Sequence, residues 1–118
     1  MNKEKLEKQL SKFKGSKNSF PFGPEAMVFK VMGKMFALVS QNEEIPRITL
    51  KCVPEKGLGL VEQYESVIPG YYMNKRHWIT ITLNDELSEE TIMTLAKDSY
   101  NLVVMKLTKA DKVKLADL

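Results

Sequence analysis

Apolar residues recur at Leu6, Leu10 and Phe13, spaced i, i+4 and i+7 among Lys, Glu, Gln and Ser, which predicts a surface helix ending near Gly15. The next segment, SFPFGP (19–24), holds two prolines and a glycine. Helix is excluded there, and its two phenylalanines are expected to dock on the core. From Met27 the period shortens to two. In AMVFKVMGKMFALVS two apolar runs flank Gly33-Lys34, predicting a hairpin with strands at about 27–32 and 35–40. QNEEIP (41–46) is the following turn and RITLKCV (47–53) a third strand. Pro54-Glu55 opens a helix to about Tyr64, although Gly57 and Gly59 each weaken it by about 1 kcal/mol relative to Ala. VIPGYYMNKRHW (67–78) reads as an irregular extended segment anchored by Pro69-Gly70, and ITITL (79–83) is the cleanest alternation in the chain. Ser88 is placed to cap a long helix that carries Glu89 and Glu90 in its first turn and Ile92, Ala96, Tyr100, Val103 and Leu107 along one stripe. TKADKVKLADL adds an optional last turn of helix. The expected fold is α+β: a single domain over 1–118, in which an antiparallel sheet of about four or five strands packs with helices in the order α-β-β-β-α-β-α.

Composition supports this reading. A chain of 118 residues, 43% of them hydrophobic, suits one compact domain with a real core. The single Cys52 has no internal disulfide partner. No apolar run approaches the roughly 18 residues of a membrane span, and MNKEKLEKQLSKFKG lacks the apolar centre of a signal peptide, so a reduced, cytoplasmic protein is expected. The net charge of +3 is uneven. Residues 1–17 hold six Lys against two Glu and residues 105–118 four Lys against two Asp, whereas 18–104 hold eight cations against eleven carboxylates. Net charge therefore provides no global field to steer a polyanion, and any anion site has to come from local clustering.

The residues that carry most enzyme chemistry are missing. One His rules out a two-histidine metal site, Gly57-Leu58-Gly59 is no phosphate-binding fingerprint, and Cys52 shares strand parity with Ile48 and Leu50, as a buried apolar thiol would. No catalytic residues, metal or cofactor are expected. Asn74-Lys75-Arg76-His77-Trp78 is the one block that joins cations, the only His and the only Trp. If the final strand reaches back to His77, alternation puts His77 on the core side with Ile79 and Ile81, and Trp78 on the other face with Thr80 and Thr82. The same parity places Lys30, Arg47, Thr49 and Lys51 on the Trp78 face, together with the apolar Val28, Met32, Phe36 and Leu38. Cations around a ring suit nucleic acid, because phosphates give affinity and an aromatic gives bases a platform. Lys34 at the hairpin tip is a further possible phosphate contact, like the wing that some domains lay along a groove.

PGYYMNKRHW (69–78), with KCVPE (51–55), the strand Ile79–Leu83, DSY (98–100) and PFGPEAMVFKVMGKMFAL (21–38), resembles the MmcQ/YjbR family of small bacterial proteins. The resemblance spans essentially the whole chain. It implies a compact α/β domain with an antiparallel sheet, likened to the double-wing architecture of a phage transcription factor's DNA-binding domain, and DNA as the partner. Lys75, Arg76, His77 and Trp78 match the family block, and Lys30 and Lys34 match its hairpin. Two positions depart from the pattern. Tyr72 stands where the family often has a first histidine, so no His pair is carried over, and Val61 stands where a cation is expected in the helix after the third strand.

The function expected is therefore non-enzymatic DNA binding. Lys34, Lys75 and Arg76 would contact phosphates, Lys30 and Lys51 would broaden the patch, and Trp78 would pack or stack beside them, with His77 in the same candidate set. The alternative is a protein-interaction or small anionic-ligand-binding module with the Asn-Lys-Arg-His-Trp loop as its structural keystone. An enzyme would require a pocket enclosing His77 with a carboxylate nearby.

Overall fold

The computed structural model describes residues 1–70 and 74–118. The Asn2 side chain accepts from the Lys5 N–H and starts α1 (Lys3–Ser11), whose Leu6 and Leu10 are fully buried. Six strands follow the alternation: β1 (Ser16–Ser19), β2 (Ala26–Val31), β3 (Lys34–Ser40), β4 (Arg47–Lys51), β5 (Val67–Pro69) and β6 (Trp78–Thr82). Between β4 and β5 runs α2 (Pro54–Gln63), begun by Pro54 where a missing N–H costs nothing. Ser88 accepts from the Thr91 N–H to cap α3 (Glu89–Met105), and Thr108 caps α4 (Lys109–Ala116) in the same way.

The strands form one antiparallel sheet in the order β1-β2-β3-β4-β6-β5. Its core face presents Phe29, Ala37, Val39, Ile48, Leu50, Ile79 and Ile81 to Leu6 and Leu10 of α1 and to Ile92, Leu95, Ala96 and Val103 of α3. Phe13 stacks on Tyr100 at 5.0 Å between ring centroids, and both meet Phe36 edge-on, tying α1 to α3. No helix among the described residues is long and apolar enough to cross a membrane.

The α+β single domain is as the sequence predicts, with two additional strands. At four and three residues, β1 and β5 are too short to declare a period of two in sequence, and both are outermost in the sheet. Several details also differ. The hairpin turn is Met32-Gly33, both at positive φ (+49° and +78°), so Lys34 is the first residue of β3 and not the apex. Phe20 and Phe22 stay 48% and 68% exposed and do not dock on the core. Between the pairs Phe29↔Ala37 and Lys30↔Met35 the register slips by one residue. This bulge turns Phe36 from the face predicted by simple alternation into the aromatic cluster. The strand β6 begins at Trp78 and does not reach His77, because Asn74 closes a turn: its side chain accepts from the Arg76 N–H at 3.0 Å and its carbonyl from the His77 N–H at 3.1 Å. Tyr72 lies outside the described residues.

Candidate functional site

All four helices pack on the core face, so what the other face displays is set by strand register. Three cross-strand rows follow. Lys17, Lys30 and Met35 form one side of the first row; β3 and β4 are not paired at this level, and Lys51 with Trp78 lies at the same end of the sheet across β4 and β6. Val28, Leu38, Thr49, Thr80 and Ile68 form the second row. Ala26 with Ser40, and Arg47 with Thr82, form the third. The parity expected for Lys30, Arg47, Thr49, Lys51, Thr80 and Trp78 therefore holds in the folded chain. Lys34 does not join them: it pairs with Val31, and the bulge leaves it at the same end of the sheet on the opposite side.

At the end of the sheet marked by the first row, the Lys51 ammonium lies 5.9 Å from the Trp78 ring centroid. Burial, and secondarily the nearby Lys106 ammonium, hold Lys51 below the ordinary lysine value. Lys17 sits directly opposite Lys30, a like-charge cross-strand pair that costs stability unless an anion joins it. The 74–77 turn is fastened to this end because the Cys52 N–H donates to the His77 carbonyl at 2.8 Å, and it leaves Lys75 and Arg76 exposed. The chain crosses closely here: Gly70 N–H donates to the Trp78 carbonyl at 2.7 Å, and a Cβ on Gly70 would lie 2.6 Å from that of Trp78. Asp98 of α3 lines the same helix-side cavity as Lys51, but its ion-pair partner is Lys56. The ion pairs among the described residues are Met1 with Asp85 and Glu89, Lys5 with Glu89, and Lys56 with Asp98, so none involves Lys17, Lys30, Lys34, Lys51, Lys75 or Arg76.

The middle of the same face is concave. A groove of about 680 Å³ runs over Leu38, Thr49 and Thr80, with Met35 at the cation end, Arg47 and Asn42 at the other, and Phe22 on its rim. The Thr49 and Thr80 hydroxyls are hydrogen-bonded to each other at 2.8 Å in its floor. A smaller cavity of about 350 Å³ lies between α2 and α3, with Lys51, Val53, Leu95, Leu102 and Met105 among its lining together with the Lys56–Asp98 pair. Cys52 is 6% exposed and burial raises its pKa, which keeps the thiol protonated. His77 is half-buried at the end of its turn. Among the described residues no three His, Cys, Asp or Glu side chains gather as metal ligands would.

Two participants escaped the sequence reading. Lys17 counted only as part of a basic N-terminal stretch, since SKNS shows no strand signal. Lys106 ends α3 and reaches the field of Lys51 only through tertiary packing.

The YjbR family model matches residues 11–102. Uncharacterized protein YbdF of Escherichia coli O157:H7 is 47% identical over 93 residues, covering 79% of this chain and 76% of the relative. Uncharacterized protein YjbR of Escherichia coli K12 is 33% identical over 94 residues, covering 80% of each. Among solved structures, Deinococcus radiodurans protein DR2400, with a DUF419 domain, superposes with a TM-score of 0.89 at 36% identity, covering 96% of this chain and 86% of that one. A Pseudomonas syringae protein superposes with a TM-score of 0.74 at 29% identity, covering 86% of this chain and 98% of that one.

Proposed function

The chain belongs to the YjbR family, and from that premise we propose that it is a non-enzymatic DNA-binding protein that holds backbone phosphates at the cation-rich end of its sheet. The observation that carries this reading is the set of cations without carboxylate partners. Lys17, Lys30, Lys51, Lys75 and Arg76 occur at one end of the sheet, two of them directly opposite each other, and none of them pairs with an acid within 4.0 Å among the described residues. A protein that needed only solubility would disperse or pair such charges. Phosphates relieve the mutual repulsion, and the counterions they release drive association. Lys34, on the other side of the hairpin tip, extends the contact around the end of the sheet.

Four to six phosphate contacts give a log K against log salt slope of about −4 to −5. Fluorescence anisotropy with labelled DNA at low salt tests this directly. Lys75→Ala with Arg76→Ala, and separately Lys30→Ala with Lys51→Ala, should each weaken binding several-fold and flatten the salt slope by about two. Absence of binding at low salt, or binding that neither pair changes, overturns the reading.

A further inference from the structure

We propose that the DNA is taken as a single strand, with its backbone along the cation row and its unpaired bases seated in the groove on the helix-free face of the sheet; this rests on the DNA-binding reading above. Register sets the geometry. Lys51, Thr49 and Arg47 alternate on one face of β4, so at about 3.4 Å per residue they lie roughly 7 Å apart, and Lys51 is separated from Arg47 by about 14 Å of groove. The groove volume of about 680 Å³ falls in the range of sites for compact ligands, and it suits one or two flat bases.

The lining favours bases over phosphates. Glu25 and Glu43 border the groove, where they repel backbone phosphates but can accept from the exocyclic amines of cytosine and adenine. Asn42, Ser40 and Arg47 add donors at the same end, and Met35 and Leu38 supply apolar floor. Phe22 stands on the rim 68% exposed, an aromatic left in water that a base face would cover. Phosphate-attracting charge and base-accepting surface are thus adjacent and segregated, sharing Met35 at their border. A duplex cannot use this arrangement, because its base faces are stacked and its edges paired, and a convex phosphate-lined rod meets carboxylates at the groove. An unpaired strand splays its bases toward the sheet while its phosphates stay on the lysines.

The test compares a labelled 12-nucleotide mixed-sequence strand, the same sequence as a blunt duplex, and free mononucleotides as competitors. The strand should bind at least tenfold tighter than the duplex. Phe22→Ala, at an exposed position that leaves the melting temperature unchanged, should weaken strand binding five- to tenfold and leave duplex binding unaltered. Amide shifts on adding the strand should include Leu38, Thr49 and Arg47. If duplex binds as well as strand and Phe22→Ala changes neither, the single-strand inference is overturned while phosphate binding stands. If neither DNA form binds, the underlying reading fails and takes this one with it. Mononucleotides that compete as strongly as the strand would make the groove a nucleotide pocket and overturn the proposal, as would shifts confined to the helical side.

Discussion

Ser99 and Lys51 are joined across a split in the sheet: the fully buried Ser99 hydroxyl of α3 accepts from the Lys51 backbone N–H at 2.9 Å while donating to the Phe36 carbonyl at 2.6 Å. Pairing of β3 with β4 covers Ala37 to Val39 only, and beyond the bulge at Phe36 the two strands part. One hydroxyl thus satisfies a donor and an acceptor that the ladder has abandoned, and it fixes the strand end that carries Lys51. Ser99→Ala leaves both groups unpaired and should lower stability by about 2 kcal/mol in urea denaturation, with faster hydrogen exchange at the Lys51 amide. Unchanged stability and exchange would show that the bridge is dispensable.

Gly70 and Gly59 should respond to alanine with opposite signs. A Cβ at Gly70 meets the Trp78 Cβ at 2.6 Å and its carbonyl oxygen at 3.0 Å, contacts with a neighbouring strand that cannot yield cheaply. Gly70→Ala is expected to destabilise by about 2 kcal/mol or more and to shift Trp78 fluorescence. Gly59 is inside α2, and a methyl added there would have nothing within 4 Å, so Gly59→Ala should stabilise by roughly 0.5–1 kcal/mol. Thermal melts of the two variants decide the matter.

The Cys52 thiol should be slow to alkylate in the native protein and fast after unfolding. Burial raises its pKa above the ordinary 9.0, so the native state keeps the proton at pH values where the unfolded chain loses it. Stability therefore declines as pH rises above about 9, and Cys52→Ala should flatten that alkaline limb. Iodoacetamide trapping across pH 7–10 measures the first effect and denaturation at pH 8 and 10 the second.

Two carboxylates act in the other direction. Hydrogen bonding from Ser66, whose backbone N–H donates at 2.8 Å, holds Glu86 below the ordinary 4.5, and the hydrogen bond from Lys5 does the same for Glu89. Depressed acids stabilise the fold above their unfolded value and lose that contribution as pH falls through the folded one. Stability should thus drop on acidification below about pH 4.5, and Glu86→Gln should make the drop shallower. An identical acid profile in the variant would count against the Ser66 contact.

How legible the site was in the sequence varied by residue. Alternation alone placed Lys30, Arg47, Lys51, Thr49, Thr80 and Trp78 on one face, and the register agrees for all six. It misplaced Phe36, because a bulge adds one residue without any mark in the apolar pattern. Lys17 was invisible as a neighbour of Lys30, since a four-residue polar edge strand forms by pairing with β2 and not by its own propensity. Phe22, an aromatic between two prolines with the local pattern of a docking residue, stays 68% exposed, because exposure depends on the fold around it and not on its neighbours in sequence.

Local physics, written in the sequence, determined the elements themselves: the Asn2 and Ser88 caps, the Leu6–Leu10 and Ile92–Ala96–Val103 stripes, and the period-two runs that make an α+β domain. Those follow from the repeat of helix and strand and need no distant partner. Tertiary structure alone decided which cations share an end of the sheet, that no described acid pairs with them within 4.0 Å, and that a groove with Phe22 on its rim lies beside them. Such facts depend on strand order and register, which are settled by contacts between residues far apart in the chain, such as the Ser99 hydroxyl set between Phe36 and Lys51.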